Sequence, residues 1–147
     1  FGQGLQMTNI LKDIWQDQDR EICWLPQDVF SKYNIELQAL SKQRTNPDFH
    51  RGVRELVAIA HGHLQDALSY TLMIPKAEQG YRNFCLWAIG MALLTLKNIN
   101  KQPDFQQSSQ IKISHNKVKI IFVVTRFIGR SNGLVKLFFK RVARGLP

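Results

Sequence analysis

The chain has 147 residues, 44% of them hydrophobic, which is enough for one domain with a substantial core. Its only two cysteines, Cys23 and Cys85, offer neither a zinc-ligand spacing nor a disulfide framework, and they suit a reducing compartment. The net charge of +9 comes entirely from residues 101–147, where ten Lys/Arg face Asp104 alone, whereas residues 1–100 hold ten of each sign; such a tail suggests phospholipid headgroups, nucleic acid or a phosphorylated cofactor as partner.

The first predicted element is a helix ending near Asp19. On a helical wheel at about 100° per residue, Gln6, Asn9, Asp13 and Asp17 share one strip about 80° wide. Leu5, Met7, Leu11, Ile14 and Trp15 take most of the remaining circumference, and a helix apolar on nearly every side is normally buried. Buried carboxylates need cations or hydrogen-bond donors, so the helix reads as one wall of a polar-lined internal cavity. Asp13 and Asp17 stand one turn apart and can reach a common point, as suits Mg²⁺, which takes one or two carboxylates and completes its shell with water and phosphate. The plainer reading is a solvated acidic helix end, since Asp17, Asp19 and Glu21 cluster where the helix should finish.

Downstream, Asp28 to Tyr33 predicts a short helix, Ile35 to Leu40 a further turn, and Ser41 to Asp48 a loop rich in turn formers. Pro47 suits the first turn of a helix whose apolar positions run from Phe49 to Met73, where Pro75 stops them. His50, His61 and His63 on it have no metal-site spacing and read as solvated or hydrogen-bonded side chains. Glu78 to Asn100 is the next long helix; its apolar run, Phe84 to Leu96, is too short for a bilayer span of about 20 residues and predicts a central core helix. There Cys85 packs as a small hydrophobe, and Gly90 allows another helix to approach. Lys101 to Gln110 reads as a polar loop. Ser114 is placed to cap a helix from about Lys117 to Ile128, and Ser131 or Asn132 a last one to Ala143.

The string G-Q-G-L-Q-M-T-N-I-L-K-D-I-W-Q-D with Arg20 and Trp24 to Val29 resembles the second aspartate-rich motif of the squalene/phytoene synthase family and the segment after it, over about 28 residues. The resemblance implies an all-α fold, the C-terminal half of an isoprenoid-synthase-type helical bundle around a central cavity. It implies that Asp13 and Asp17 bind Mg²⁺ and a diphosphate, with Gln6 and Asn9 in the same substrate site. Gln16 departs from the pattern, since squalene synthases usually carry glutamate there. The chain opens at Phe1 inside the helical pattern with no cap and without the family's first aspartate-rich motif. It is therefore expected to be the C-terminal portion of one synthase domain, needing the N-terminal half of that domain and inactive alone.

The stretch Arg82 to Leu96 resembles the squalene-synthase branch, in which an F-C dipeptide and a downstream M-A line the prenyl-chain pocket. Phe84, Cys85 and Met91 become lining candidates, although Ala88 stands where that branch has proline; plain packing is the alternative. Ile111 to Ser114 resembles the V-K-I-R stretch that helps hold NADPH phosphates in that branch. Lys112 matches, Ser114 replaces the arginine, and Lys12 is the second cofactor-binding candidate, placed by the wheel away from the aspartate strip. Simple solvation is the alternative for both lysines.

By resemblance, the expected reaction is an Mg²⁺-dependent head-to-head condensation of two farnesyl diphosphates, through presqualene diphosphate, to squalene with hydride from NADPH. The alternatives are a phytoene or dehydrosqualene synthase, which lacks the reductive step, or a non-catalytic basic membrane module. Residues 114–147 pattern as basic amphipathic helices that either lie in a membrane interface or pack on the core. Their aromatics, Phe122, Phe127, Phe138 and Phe139, sit in apolar helical patterns and not interleaved with bases on a platform, which disfavours nucleic acid. The expected location is cytoplasmic, at the inner face of the membrane.

Overall fold

The computed structural model describes residues 1–147 and is all-α, with six helices and no strand. α1 is Gly2–Gln18, α2 Gln27–Ser31, α3 Pro47–Met73, α4 Gln79–Lys101, α5 His115–Ile128 and α6 Asn132–Val142. There are two 3₁₀ segments: Leu37–Gln43 overlaps the further turn expected at Ile35 to Leu40 and runs into the loop expected after it, and Ser108–Ile111 begins in the stretch expected to be a polar loop. The first bends at the non-helical Ala39 (φ −107°, ψ 38°), and Leu37 and Leu40, on either side of the bend, are both buried. The second is closed by a reciprocal cap between Gln107 and Gln110.

α1, α3 and α4 pack against one another and form the centre. In α3 the buried positions Phe49, Val53, Leu56, Val57, Ala60, Leu64 and Ala67 recur at three and four residues, the apolar stripe of a helix packed on one side. Its start is set by Pro47 in the first turn and by Asn46, whose side chain accepts from Asp48 N at 2.9 Å. Gly52 brings the backbone against the fully buried Phe30 ring, where a Cβ would lie 2.6 Å from ring carbon Cε1. α4 is buried on most of its circumference, as a central helix should be. At Gly90 a Cβ would meet Ile121 Cγ2 at 2.7 Å, so the missing side chain lets α5 seat there. α5 and α6 are peripheral, burying only Ile121 and Thr125, and Val135 and Phe139, respectively.

Two helix starts differ from expectation. α5 begins at His115, with Ser114 at the N-cap position making no side-chain cap bond, whereas Ser131 does cap α6 by accepting from Leu134 N. α1 differs more. Its buried residues are Gly4, Thr8, Leu11, Ile14 and Trp15, while Gln6 and Asn9 are exposed and Met7, Ile10, Asp13 and Asp17 only half-buried. α1 is thus a one-sided helix packed on α3 and α4, and the carboxylates are not enclosed by apolar side chains.

The helices are joined by one buried cation. Arg82 is fully buried with no carboxylate partner. Its Nε donates to Gly129 O at 3.1 Å, Nη1 to Ile74 O at 2.6 Å and Thr71 O at 3.2 Å, and Nη2 to Asn132 Oδ1 at 2.7 Å. These carbonyls close the C-terminal ends of α3 and α5. Each such end carries roughly half a negative charge, so two of them together offset about one positive charge.

Candidate functional site

A hollow of about 720 Å³ lies between α1, α4 and residues 108–113. α1 contributes Leu5, Thr8, Asn9, Lys12, Asp13 and Gln16, which fall at i, i+3, i+4, i+7, i+8 and i+11 and so share one face. α4 contributes Ala88, Met91, Ala92 and Thr95 in the same register, and the third wall carries Ser108, Ile111, Lys112 and Ile113. The Thr8 and Thr95 hydroxyls are bonded back to Gly4 O (2.7 Å) and Met91 O (3.0 Å) of their own helices, which leaves the α4 wall largely apolar. Polarity concentrates in Asn9, Lys12, Asp13 and Lys112.

The third wall is held from both sides. Trp15 Nε1 donates to Phe105 O at 2.6 Å, and Gln16 Nε2 to Ser108 Oγ at 3.1 Å. Asn98 Nδ2 donates to Ile111 O at 2.9 Å, fixing the backbone beside Lys112. Gln16, which stands where an acid was expected, therefore clasps the 105–111 segment to α1. An acid at this position would offer that hydroxyl no N–H donor.

Of the predicted site residues, Asn9, Lys12, Asp13, Met91 and Lys112 come together in this hollow. Gln6 does not line it. Asp17 lies beside Ile22, Cys23 and Trp24, at a niche of about 10 Å³, no more than one water molecule. On the wheel, the hollow is centred about 70° away from the Gln6–Asp17 strip. Lys12 is accordingly not set apart from the acids: its Nζ lies 3.3 Å from Asp13 Oδ2. At side-chain exposures of 40% and 28%, that pair contributes about 0–1 kcal/mol and is readily exchanged for another partner. The oxygen chemistry of Asn9 and Asp13 suits Mg²⁺ in the presence of a phosphate ligand, and two lysines suit the phosphate itself. No group of three His, Cys, Asp or Glu side chains gathers in the chain, so a metal held here takes water or substrate oxygens as well.

A model of the squalene/phytoene synthase family matches residues 1–117, four-fifths of the sequence. The chain belongs to that family. It is 36% identical to the squalene synthase of Candida albicans over 146 residues, covering 94% of this chain and 30% of that protein. It is also 36% identical to a phytoene synthase of Thermus thermophilus over 99 residues, 67% of this chain and 32% of the relative. The human squalene synthase is 30% identical over 113 residues, 76% of this chain and 27% of that protein. The chain thus spans less than a third of the length of each of these relatives. No solved structure matches it significantly.

Within this squalene/phytoene synthase segment, Phe84 is 61% exposed and stands one turn before Ala88 on the hollow's side of α4, continuing its wall beyond the enclosed part. Tyr81, which the sequence reading passed over, is 55% exposed one turn earlier, with its hydroxyl against Tyr70 of α3. Its three-residue spacing from Phe84 was the available signal. Cys85 turns inward, 3% exposed, against Thr71. Burial, opposed only by the Thr71 hydroxyl, raises the Cys85 thiol above the usual cysteine range. At pH 8, a single equivalent of an aromatic disulfide reagent is expected to react quickly, at the exposed Cys23, with Cys85 following at least about tenfold more slowly. Two equal fast equivalents would contradict the buried placement. The histidines are hydrogen-bonded as expected, His50 to Arg44 O at 2.9 Å and His61 to Pro147 O at 2.7 Å.

Proposed function

We propose that this chain supplies the second aspartate-rich wall of an enzyme that joins two farnesyl diphosphates head to head and, with NADPH, yields squalene. One observation carries the reading: a carboxylate, an amide and two lysines, on two walls, line a 720 Å³ hollow whose α4 wall is largely apolar. An allylic diphosphate needs both parts, an electrostatic clamp for the departing diphosphate and a greasy surface for its prenyl chain. Asp13 would supply a metal oxygen, with Asp17 one turn along as the second carboxylate expected from the family pattern. Mg²⁺ would neutralise charge on the leaving diphosphate, and Asn9 would orient the same oxygens. Lys12 and Lys112, on two walls of one hollow, would hold phosphate, whether of substrate or of NADPH. Met91 would contact the prenyl chain, and Phe84 would extend that contact outward.

The intact protein, given farnesyl diphosphate and Mg²⁺, is expected to form squalene only when NADPH is added. Dehydrosqualene or phytoene with no response to NADPH would favour the non-reductive reading, which the Thermus phytoene synthase relative and Ser114 in place of arginine also support. No prenyl product under any condition would overturn the proposal.

The tail fits a peripheral membrane contact. No helix is long and apolar enough to cross a membrane. Ile120, Val123 and Phe127 on α5 and Leu134 and Leu137 on α6 are nevertheless exposed among bases with no acid after Asp104. The intact protein is expected to float with anionic vesicles at low salt, and the double variant Phe127→Ser/Leu137→Ser to lose most of that binding. Equal flotation of both proteins would exclude this surface.

A further inference from the structure

A second, smaller cavity of about 410 Å³ lies behind α4, walled by α3, α4, α6 and residues 143–146. Leu64, Leu68, Leu93 and Phe139 form its floor, and Lys136, Lys140 and Arg144 stand among its lining residues. Leu93 directly follows Ala92, which lines the first hollow; successive helical residues diverge by about 100°, so the α4 backbone separates the two. Three hydrogen bonds hold the strap of residues 142–147 in place. Lys97 Nζ donates to Val142 O at 3.0 Å, Asn100 Nδ2 to Gly145 O at 3.0 Å, and His61 Nδ1 meets Pro147 O at 2.7 Å. Gly145 has φ 92°, a conformation glycine adopts without strain.

The electrostatics of this place are one-sided. No carboxylate lines the cavity, and none of the chain's salt bridges engages Lys136, Lys140 or Arg144. Nearby Lys97 is held below the usual lysine range, first by burial and then by Lys101, Lys117 and Arg144. Uncompensated cations beside an apolar floor match a ligand with a charged head and a hydrocarbon body. Pockets for small ligands run from about 300 to 1,000 Å³, so 410 Å³ suits one chain and not two.

We propose that this cavity binds a single-chain amphiphile with a phosphate-type head, the chain on Leu68, Leu93 and Phe139 and the head at Lys136, Lys140 and Arg144. The site is separate from the Lys12–Asp13 hollow and does not rest on the reaction proposed for it.

The test uses dodecyl phosphate, below its micellar concentration, titrated into the intact protein with methyl resonances as readout. The Leu68 and Leu93 methyls are expected to shift saturably. Dodecyl maltoside, with the same chain and a neutral head, is expected to bind at least about tenfold more weakly, and inorganic phosphate to leave the methyls unmoved. Lys136→Gln, an exposed side chain that lines this cavity and not the groove between α5 and α6, is expected to raise Kd at least about tenfold. Arg141→Gln and Leu137→Ser, which alter the neighbouring groove between α5 and α6, are expected to change nothing here. Equal affinity for dodecyl maltoside would reduce the site to adventitious detergent binding. Loss of binding in the Arg141 or Leu137 variants, but not in Lys136→Gln, would move it to the other groove, which Lys140 and Arg144 also line. Phosphatidate vesicles competing as well as dodecyl phosphate would assign these bases to a bilayer surface, and any one of these three results overturns the proposal.

Discussion

Arg82→Met is expected to destabilise the fold by about 3 to 5 kcal/mol at 25 °C, through buried acceptors left unpaired. Methionine fills similar volume but donates nothing. Ile74 O, Gly129 O and Asn132 Oδ1 would lose their donor inside the fold, whereas Thr71 O keeps its bond from Ile74 N at 3.3 Å and Leu72 O its bond from Asn132 Nδ2 at 3.1 Å. Each unpaired buried acceptor costs about 1 to 3 kcal/mol, and a domain's whole stability is only about 5 to 15 kcal/mol. Arg82→Lys keeps the charge but cannot reach α3, α5 and Asn132 at once, so it should fall between wild type and Met. Urea unfolding followed by far-ultraviolet circular dichroism measures this directly. A Met variant within about 1 kcal/mol of wild type would mean that the two helix ends do not depend on the guanidinium.

Asp13→Asn is expected to lower Mg²⁺-dependent diphosphate release by at least about a hundredfold in kcat, the scale at which lost transition-state charge stabilisation is felt. Asparagine preserves size and one oxygen but removes the charge that draws the metal and balances Lys12. Asp17→Asn is expected to lose less, because that carboxylate sits outside the hollow beside Ile22 and Trp24. Two measurements on the intact protein decide it: turnover of farnesyl diphosphate, and calorimetric binding of pyrophosphate with and without Mg²⁺. Wild-type turnover in Asp13→Asn would remove Asp13 from the site. An equal loss in both variants would place the two carboxylates on one metal.

The long helices were legible because α1, α3 and α4 each run for 17 residues or more with apolar positions at three- and four-residue spacing. The segment Leu37–Gln43 was legible as a further turn around Ile35 to Leu40, but Ser108–Ile111 was not, because it rests on the Gln107/Gln110 cap alone, a device shorter than any periodicity. The polar strip on α1 is legible only as a set of angles, because a wheel gives angles between residues and not the direction of the core. Packing of Leu11, Ile14 and Trp15 fixed that direction, and it turned Lys12 and Gln16 into the hollow and Gln6 out of it. Arg82 left a signal that went unread. It occupies the i−4 position of Leu86 and the i−7 position of Ile89, both fully buried, and a lone arginine in such a row has to satisfy its donors inside.

Ala92 and Leu93 face different hollows from adjacent positions of one helix, and α5 grips that helix at Gly90 through Ile121. The two hollows therefore share α4 as a common wall. Should an occupant behind the helix alter the affinity for diphosphate in front of it by some factor, thermodynamic linkage requires diphosphate to return the same factor. Measuring either ligand's dissociation constant at saturation with the other would give that coupling energy from both directions.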